Sequence, residues 1–485
     1  MMRSLLAGVL VAGFSLHAPA AGAQDSLTLQ QSIGLALRQG LQAQAARDAL
    51  AAAMARDRAY GARLLPQISL GGTVPNYSRA IVPVIQPDGS QLFTPLQQTT
   101  SQLGVTISQK LPFTGGNLMV SSSLQRFQMT GAQQVRTWSS APMTVTLSQP
   151  ILRPNTIRWD TREQDLQTDL AKRRYLEARE TAAAATATAF FDLYSARSAL
   201  QNATHNAAVN DTLYTLNKGR YQVGKIGEND LLQSELALLR ARTAVDGAKL
   251  DYDRALAAFR LAINVPADAA VSIVVTPDVP AVPLDTARAV AEALRNSSAI
   301  TTLDLEDVQA RRAVTEARLS TGIGATLQAS YGFNASGTAA SAVYSNLLQA
   351  QQLSLGVQVP LVQWGAHSAD VQAARADQER VSATSQATRE QTVQNARFAA
   401  LQLAQAARNL TVSAKADTVA AKRFDVAYER YVIGKITIDN LYIAQNDKDQ
   451  ALLQYVQALR GYWTAYYQLR QLTLYDFVNG HRIVP

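Results

Sequence analysis

Gly219 to Lys225 has the G-x-x-x-x-G-K spacing of a loop that cradles phosphate on backbone N–H groups. The chemistry stops one residue later. Ile226 stands where a Ser or Thr would hold magnesium, and the stretch follows a helical run rather than a strand. A related stretch, Arg430 to Ile436, has Glu429 in place of the first glycine. Four histidines, at 17, 205, 367 and 481, have no metal-ligand spacing, and there is no cysteine. No serine or carboxylate pair has a base partner, so the sequence argues for no enzyme, no metal and no cofactor.

The near-loop is instead one copy of a repeated element. Arg220-Tyr221-Gln222-Val223-Gly224-Lys225-Ile226 recurs as Arg430-Tyr431-Val432-Ile433-Gly434-Lys435-Ile436. The tyrosines differ by 431 − 221 = 210, the glycines by 434 − 224 = 210, and two upstream prolines by 360 − 150 = 210. Each copy ends a long helical run and precedes another. Glycine there supplies the left-handed residue that stops a helix, so each copy reads as the tip of a helical hairpin. Asn229 and Asp230, and Thr437 and Asp439, are candidate caps of the returning helices.

The elements that carry these tips follow from periodicity. Met1-Met2-Arg3, an apolar run from Leu5 to Leu16 and Ala21-Gly22-Ala23 predict a signal peptide over 1–23, cut after Ala23. A first repeat is expected over 24–265, with a helix at 28–64, strands within about 66–151 and a helical hairpin at 156–264. A linker at 266–283, marked by Pro266, Pro277, Pro280 and Pro283, leads to a second repeat over 284–485. That repeat has a helix at 286–320, strands within about 323–361 and a hairpin at 366–474.

Period-two alternation marks the strands, as in Leu103, Val105, Ile107 and in Leu118, Val120, Leu124. Residues 78–100 and 128–141, rich in Pro, Gln, Ser and Thr, read as long connections, and Pro112 to Gly116 as a tight turn. With an export signal, this is the outer-membrane barrel pattern. The helices are rich in Ala, Gln, Thr and Ser and lack the broad apolar stripe of a globular bundle. Such rods suit a hollow wall wetted on two faces. The competing reading is a periplasmic coiled-coil scaffold or adaptor without a pore. The net charge of +8 is dispersed, and its densest patch, Lys172-Arg173-Arg174, reads as a solvated helix face rather than a nucleic-acid surface.

Order and offset together resemble the TolC-type outer-membrane efflux proteins. The residues that carry the resemblance are Leu65-Pro66, Ser148-Gln149-Pro150-Ile151, Val359-Pro360-Leu361, the two Tyr-x-x-Gly-Lys tips, and Tyr462-Trp463 through Leu474-Tyr475-Asp476-Phe477. The fold class is then mixed α and β, mainly α. A tandem-duplicated helix–strand–strand–helix–helix unit would form a trimeric outer-membrane β-barrel continuous with a long periplasmic α-barrel.

The resemblance implies a homotrimer in outer-membrane lipid. It would be the passive exit duct of a tripartite efflux or type I secretion system, fed by a periplasmic adaptor (membrane fusion) protein and an inner-membrane pump of RND or ABC type. It assigns adaptor docking to Val223, Gly224, Lys225, Ile433, Gly434 and Lys435. The family's periplasmic gate maps to Tyr431, Asp439, Asn440 and Asp230. Here the chain departs from the pattern: Asn440 and Ile443 replace the usual two aspartates, Asp439 is a neighbouring stand-in, and Gln233 lies three residues after Asp230. Trp159 and Trp364, each after the last strand of its half, fit either a membrane-interface girdle or core filling. The hairpin around Pro112 to Gly116 is absent from the second half; whether it adds strands to the barrel is left open by sequence.

Overall fold

The computed structural model describes residues 26–85, 87–130, 134–276, 279–280, 282–283 and 285–483. The expected signal peptide and Pro277 lie outside the described residues. Helices α1 (Leu29–Gln39) and α2 (Leu41–Arg63) lead into strands β1 (Gln67–Ile85), β2 (Gln91–Leu111), β3 (Gly116–Thr130) and β4 (Val135–Ile151). Then come α3 (Thr156–Gln222), α4 (Glu228–Ala262), α5 (Thr286–Asn296) and α6 (Ser298–Ser320). Strands β5 (Gly324–Gly337) and β6 (Leu348–Gln358), helices α7 (Ala366–Val432) and α8 (Ile438–Thr473), and the short β7 (Tyr475–Asp476) and β8 (His481–Arg482) complete the chain.

The element starts fall into two registers. α1 and α5 begin 286 − 29 = 257 residues apart, α2 and α6 298 − 41 = 257, and β1 and β5 324 − 67 = 257. From the long helices onward the spacing is 210: 366 − 156 for α3 and α7, and 438 − 228 for α4 and α8. The first half therefore carries 257 − 210 = 47 extra residues between the start of its first strand and its long helix. β2 and β3 occupy that insertion.

The chain forms two compact units. The first takes Met1–Gln44, Arg179–Pro283 and Gln402–Gln468. Its core gathers Phe190, Phe191 and Leu193 of α3, Phe259 of α4 and Tyr462 of α8, all nearly inaccessible to solvent. Trp463 stacks on Phe191 and meets Tyr462, Tyr466 and Tyr467, so these C-terminal aromatics fill core. The segment after α4 is tied to it: the Arg197 guanidinium donates to the Ile273 carbonyl (2.7 Å) and the Tyr462 hydroxyl to that of Pro280 (2.5 Å).

The second unit takes Ala45–Ala178, Leu284–Leu401 and Leu469–Pro485. It holds the sheet, which runs antiparallel in the order β1-β2-β3-β4-β5-β6. Register sorts its side chains in the half nearest the helices. Ile68 and Leu70 pair with Ile107 and Val105, which pair with Val120 and Ser122. The row continues through Val145 and Leu147 to Tyr331 and Ala329, which pair with Gln351 and Leu353, and Leu355 pairs with Leu327 on the same face. Ile68, Leu70 and Leu353 are between 68 and 76 % exposed. The opposite face presents Ser69, Thr106, Ser121, Thr144, Gly332 and their like, with Lys110 its one charge in that half. β1 and β6 are open edges within the chain.

Three local expectations differ from the structure. Residues 78–85 and 91–100 are not loop but the outer ends of β1 and β2, paired from Ser78–Gln98 to Ile85–Gln91, and 128–130 and 135–141 likewise belong to β3 and β4. Backbone ladder bonds are indifferent to the Gln and Thr side chains that made this stretch read as coil. The 28–64 run breaks at Gly40 and the 286–320 run at Ser297, both with extended ψ (141° and 137°). Each donates its N–H back to an alanine, Ala36 or Ala293, and so ends one helix as the next begins. α4 is preceded by Gly227 with no side-chain cap, so Asn229 and Asp230 sit in its first turn, not at its cap. Among the described residues no helix is long and apolar enough to cross a membrane.

Two adjacent glycines test the sheet. A Cβ on Gly71 meets nothing within 4 Å, whereas one on Gly72 would lie 2.1 Å from the Gln102 carbonyl oxygen. G72A should therefore cost about 1–3 kcal/mol, as for overpacking, and G71A close to nothing. Urea midpoints of the detergent-solubilised protein check the contrast.

Candidate functional site

The two tips are built identically. Gly224 and Gly434 have φ of 69° and 75°. The Gly224 N–H donates to the Tyr221 carbonyl (2.9 Å) and the Lys225 N–H to that of Arg220 (2.8 Å). Gly434 and Lys435 repeat both bonds with Tyr431 and Arg430 at the same lengths. This paired closure satisfies carbonyls that a helix end leaves orphaned. It also turns Val223 and Ile433 outward, 68 % and 65 % exposed, beside exposed Lys225 and Lys435. Each tip is thus a rigid knob with one apolar and one cationic side chain.

Tyr431 behaves differently from Tyr221. It is 5 % exposed against 42 %, in a cluster with Leu213, Phe424, Ile438 and Leu441. Its hydroxyl donates to Asn217 Oδ1 (2.7 Å), with Asn217 fully buried. Arg220 lies over its ring, 5.2 Å from the centroid, and donates to the Val432 carbonyl (2.9 Å). The end of α3 is thereby fastened to the end of α7. One turn on, Gln233 of α4 donates to Asp439 of α8 (2.7 Å). Asn440 only reaches back to the Thr437 hydroxyl (3.0 Å), and Asp230 is half-buried in the first turn of α4. Of the expected gate residues, the structure draws Tyr431 and Asp439 into inter-hairpin bonds and leaves Asn440 in a local one.

Between the aromatic core and the Tyr431 cluster, the seam between α3 and α8 is polar. Asn202 and Asn206 both donate to the Asp449 carboxylate (2.7 and 2.8 Å). Asn206 Oδ1, Asn210 Oδ1, Gln445 Oε1 and the Tyr442 hydroxyl are buried without a partner among the described residues, around a groove of about 550 Å³ between α3, α4 and α8. Burial, with Tyr431 and Asp439 nearby, pushes the Tyr442 hydroxyl above its ordinary range. Sequence reasoning missed Asn217. Its signal was the asparagine stripe at 202, 206, 210 and 217, which falls on one helical face.

At the strand–helix junctions, Trp364 has φ 50° and is 96 % exposed, so it fills no core within the chain; Trp159 is half-buried in the first turn of α3. Asn155 caps α3 by accepting from the Arg158 N–H (3.1 Å) and donates to the carbonyls of Pro112 (2.8 Å) and Phe113 (3.3 Å). Gln149 donates to the Thr114 carbonyl (2.9 Å). Arg153 binds the Ser320 and Leu319 carbonyls at the end of α6, and Thr321 meets His367 Nδ1 (2.5 Å). His367 thus serves a junction. Among the described residues no group of three His, Asp or Glu could hold a metal.

Residues 96–265 match the family described as outer membrane efflux protein. No curated protein matches the chain. Among solved structures, the Campylobacter jejuni CmeC outer membrane channel superposes with a TM-score of 0.64 at 16 % identity, over 94 % of this chain and 86 % of that one. The Vibrio cholerae outer membrane protein VceC gives 0.64 at 14 %, over 93 % and 96 %. The Neisseria gonorrhoeae MtrE outer membrane channel, in its open state, gives 0.63 at 14 %, over 92 % and 88 %. The fold is that of these channels, as the resemblance drawn from the tips and strand ends implied.

The tip glycines give a prediction with an internal control. Neither Gly224 nor Gly434 has an atom within 4 Å of an added Cβ, so only backbone strain opposes alanine there. G224A and G434A should each cost about 1–2 kcal/mol. Gly219, inside α3 with equally open surroundings, should gain up to about 1 kcal/mol on G219A. Thermal unfolding midpoints that moved together would exclude the cap assignment.

Proposed function

We propose that the chain is the outer-membrane exit duct of a tripartite efflux or type I secretion system, conducting passively. One observation carries this reading. In the half nearest the helices the single-layered sheet has an exposed apolar face and an opposite polar face with Lys110 as its one charge, and the sheet has two open edges. An apolar face fits lipid, a polar face fits a water-filled lumen, and open edges call for neighbouring copies. The long helices ask for the same thing. From Ala366 to Asn395, α7 buries no residue within the chain. A helix so poorly packed gains its stability from other subunits, most simply in a closed ring. The ring is a homotrimer in outer-membrane lipid. In each subunit two repeats, 24–265 and 284–485, are joined by 266–283 and supply one long hairpin apiece.

The tips dock a periplasmic adaptor through Val223, Gly224 and Lys225 and through Ile433, Gly434 and Lys435. The adaptor links them to an inner-membrane pump of RND or ABC type. Two exposed apolar side chains on stiff turns, flanked by lysines, support that role. The gate is the neighbourhood of Tyr431, Asp439, Asn440 and Asp230, with Asn217, Arg220 and Gln233 as partners. Its bonds join hairpin to hairpin, so parting them lets one hairpin move against the other. Trp364 and Trp159 sit at the membrane interface. The channel is not an enzyme.

Single-channel recording in a planar bilayer tests this. The native protein should give long closed periods with rare openings. Y431F removes the hydrogen bond to Asn217, worth about 1 kcal/mol, and should raise the open fraction about fivefold. A protein that stays a monomer without detergent and never conducts would support the scaffold reading instead.

A further inference from the structure

We propose that β2–β3 is a calibre-setting insertion. It adds two strands per chain to the barrel wall and makes the membrane pore wide enough for bulky, polar, weakly charged or uncharged cargo. This rests on the exit-duct reading above.

The 47 extra residues lie between β1 and the long helix of the first half, and the second half spans the same interval with β5 and β6 alone. The insertion is not an appendage. β2 pairs with β1 over nearly its whole length and with β3 from Gln97–Thr130 to Leu111–Gly116, and β3 pairs with β4. It keeps the side-chain alternation of its neighbours. Leu103, Val105 and Ile107 face the same way as Ile68 and Leu70, while Gln102, Thr106 and Ser108 continue the polar face. A hairpin folded into the lumen or out into solvent would have no reason to match that pattern. Its turn is also pinned. Asn155 and Gln149 hold the carbonyls of Pro112, Phe113 and Thr114, and Gly115, at φ 77°, packs so closely that a Cβ would lie 3.0 Å from Asn155.

Lengths agree with a widened wall. Four helices in the second unit, α2, α3, α6 and α7, run directly into or out of the sheet. Side by side at about 10 Å they take up about 40 Å of circumference per chain. A strand spaced about 4.8 Å from its neighbour and tilted about 40° takes up about 6 Å, so six strands cover about 38 Å and four only about 25 Å. With six strands the barrel wall matches the four helices that feed it. Three chains then give about 18 strands, a number at which barrels enclose an aqueous channel. In the half nearest the helices, Lys110 is the sole charge on the face assigned to the lumen, so this section sorts by size more than by charge.

The experiment compares the full chain with a variant lacking residues 87–133, the 47 that the second half does without, both in lipid nanodiscs and in proteoliposomes. Electron cryo-microscopy should show eighteen strands in the full trimer, with β2 and β3 in the wall, and twelve in the variant. Because barrel diameter grows about linearly with strand number, the variant's barrel should narrow to about two thirds. In a Y431F background, the largest polyethylene glycol that permeates should fall accordingly. A twelve-stranded wall in the full protein, or an unchanged polymer cut-off in a variant that still forms trimers, overturns the inference while leaving the duct intact. If the variant does not assemble, the strand count of the full protein decides alone. Particles without a lumen would instead remove the exit-duct reading itself.

Discussion

A sheet one layer thick, greasy on one face and polar on the other, has no stable home in a single solvent. In water its apolar face would demand a second layer, and in lipid its polar face would be stranded. In the half of the sheet nearest the helices, neither face is closed by a second layer. The short turn Ala342–Tyr344 covers the far end, where the Ser140 hydroxyl donates to the Val343 carbonyl (2.5 Å). In the proposed exit duct the sheet sits at a boundary, with oil on one side and water on the other, and its open edges meet those of neighbouring copies. The sparse packing of the helices is the same constraint expressed in another element.

The helices meet that constraint with small and polar contacts. In the first unit, large side chains concentrate around Phe190, Phe191, Phe259 and Tyr462 and around Leu213, Phe424, Tyr431 and Leu441, and between the two the seam of α3 and α8 carries Ala, Asn and Gln. A seam such as Asn202, Asn206 and Asp449 loses little when it parts, since each group can trade its partner for water. A seam of interdigitated Leu and Phe would resist parting over its whole length. Fixed aromatic core and exchangeable polar seam thus divide the unit into a part that holds and a part suited to shift. Tyr431 combines the two, with its ring in the apolar cluster and its hydroxyl on Asn217.

How much was legible in the sequence depended on whether the signal was local. Gly224 and Gly434 were readable because a helix stop demands a residue tolerant of positive φ, and their shared offset announced two hairpins. Strand alternation was readable wherever one face carried Ile, Leu or Val. It failed over 78–85 and 91–100, where Pro83, Pro95 and the run Gln97-Gln98-Thr99-Thr100 mask the alternation while the backbone ladder continues. The break at Gly40 was hidden inside an otherwise helical composition, as was its counterpart at Ser297, where serine is no strong breaker. Asn217 and Gln233 were hidden for a different reason. Their partners lie on other helices, 214 and 206 residues away, and a helical stripe of polar residues does not say which neighbour it will meet.

The two registers, 257 and 210, connect these points. A single offset would mean two halves with equal strands and equal loops. The change from one value to the other inside the strand region shows that the first half differs by a unit of 47 residues that enters and leaves the sheet on the same side. Only an even number of strands can be added without reversing the direction of α3 against its own helical partners. A hairpin is the smallest such addition, and it leaves both ends of the helical scaffold undisturbed. With β1 hydrogen-bonded on one side and β4 on the other, the inserted pair has one remaining freedom, which is to lengthen the row in which it sits.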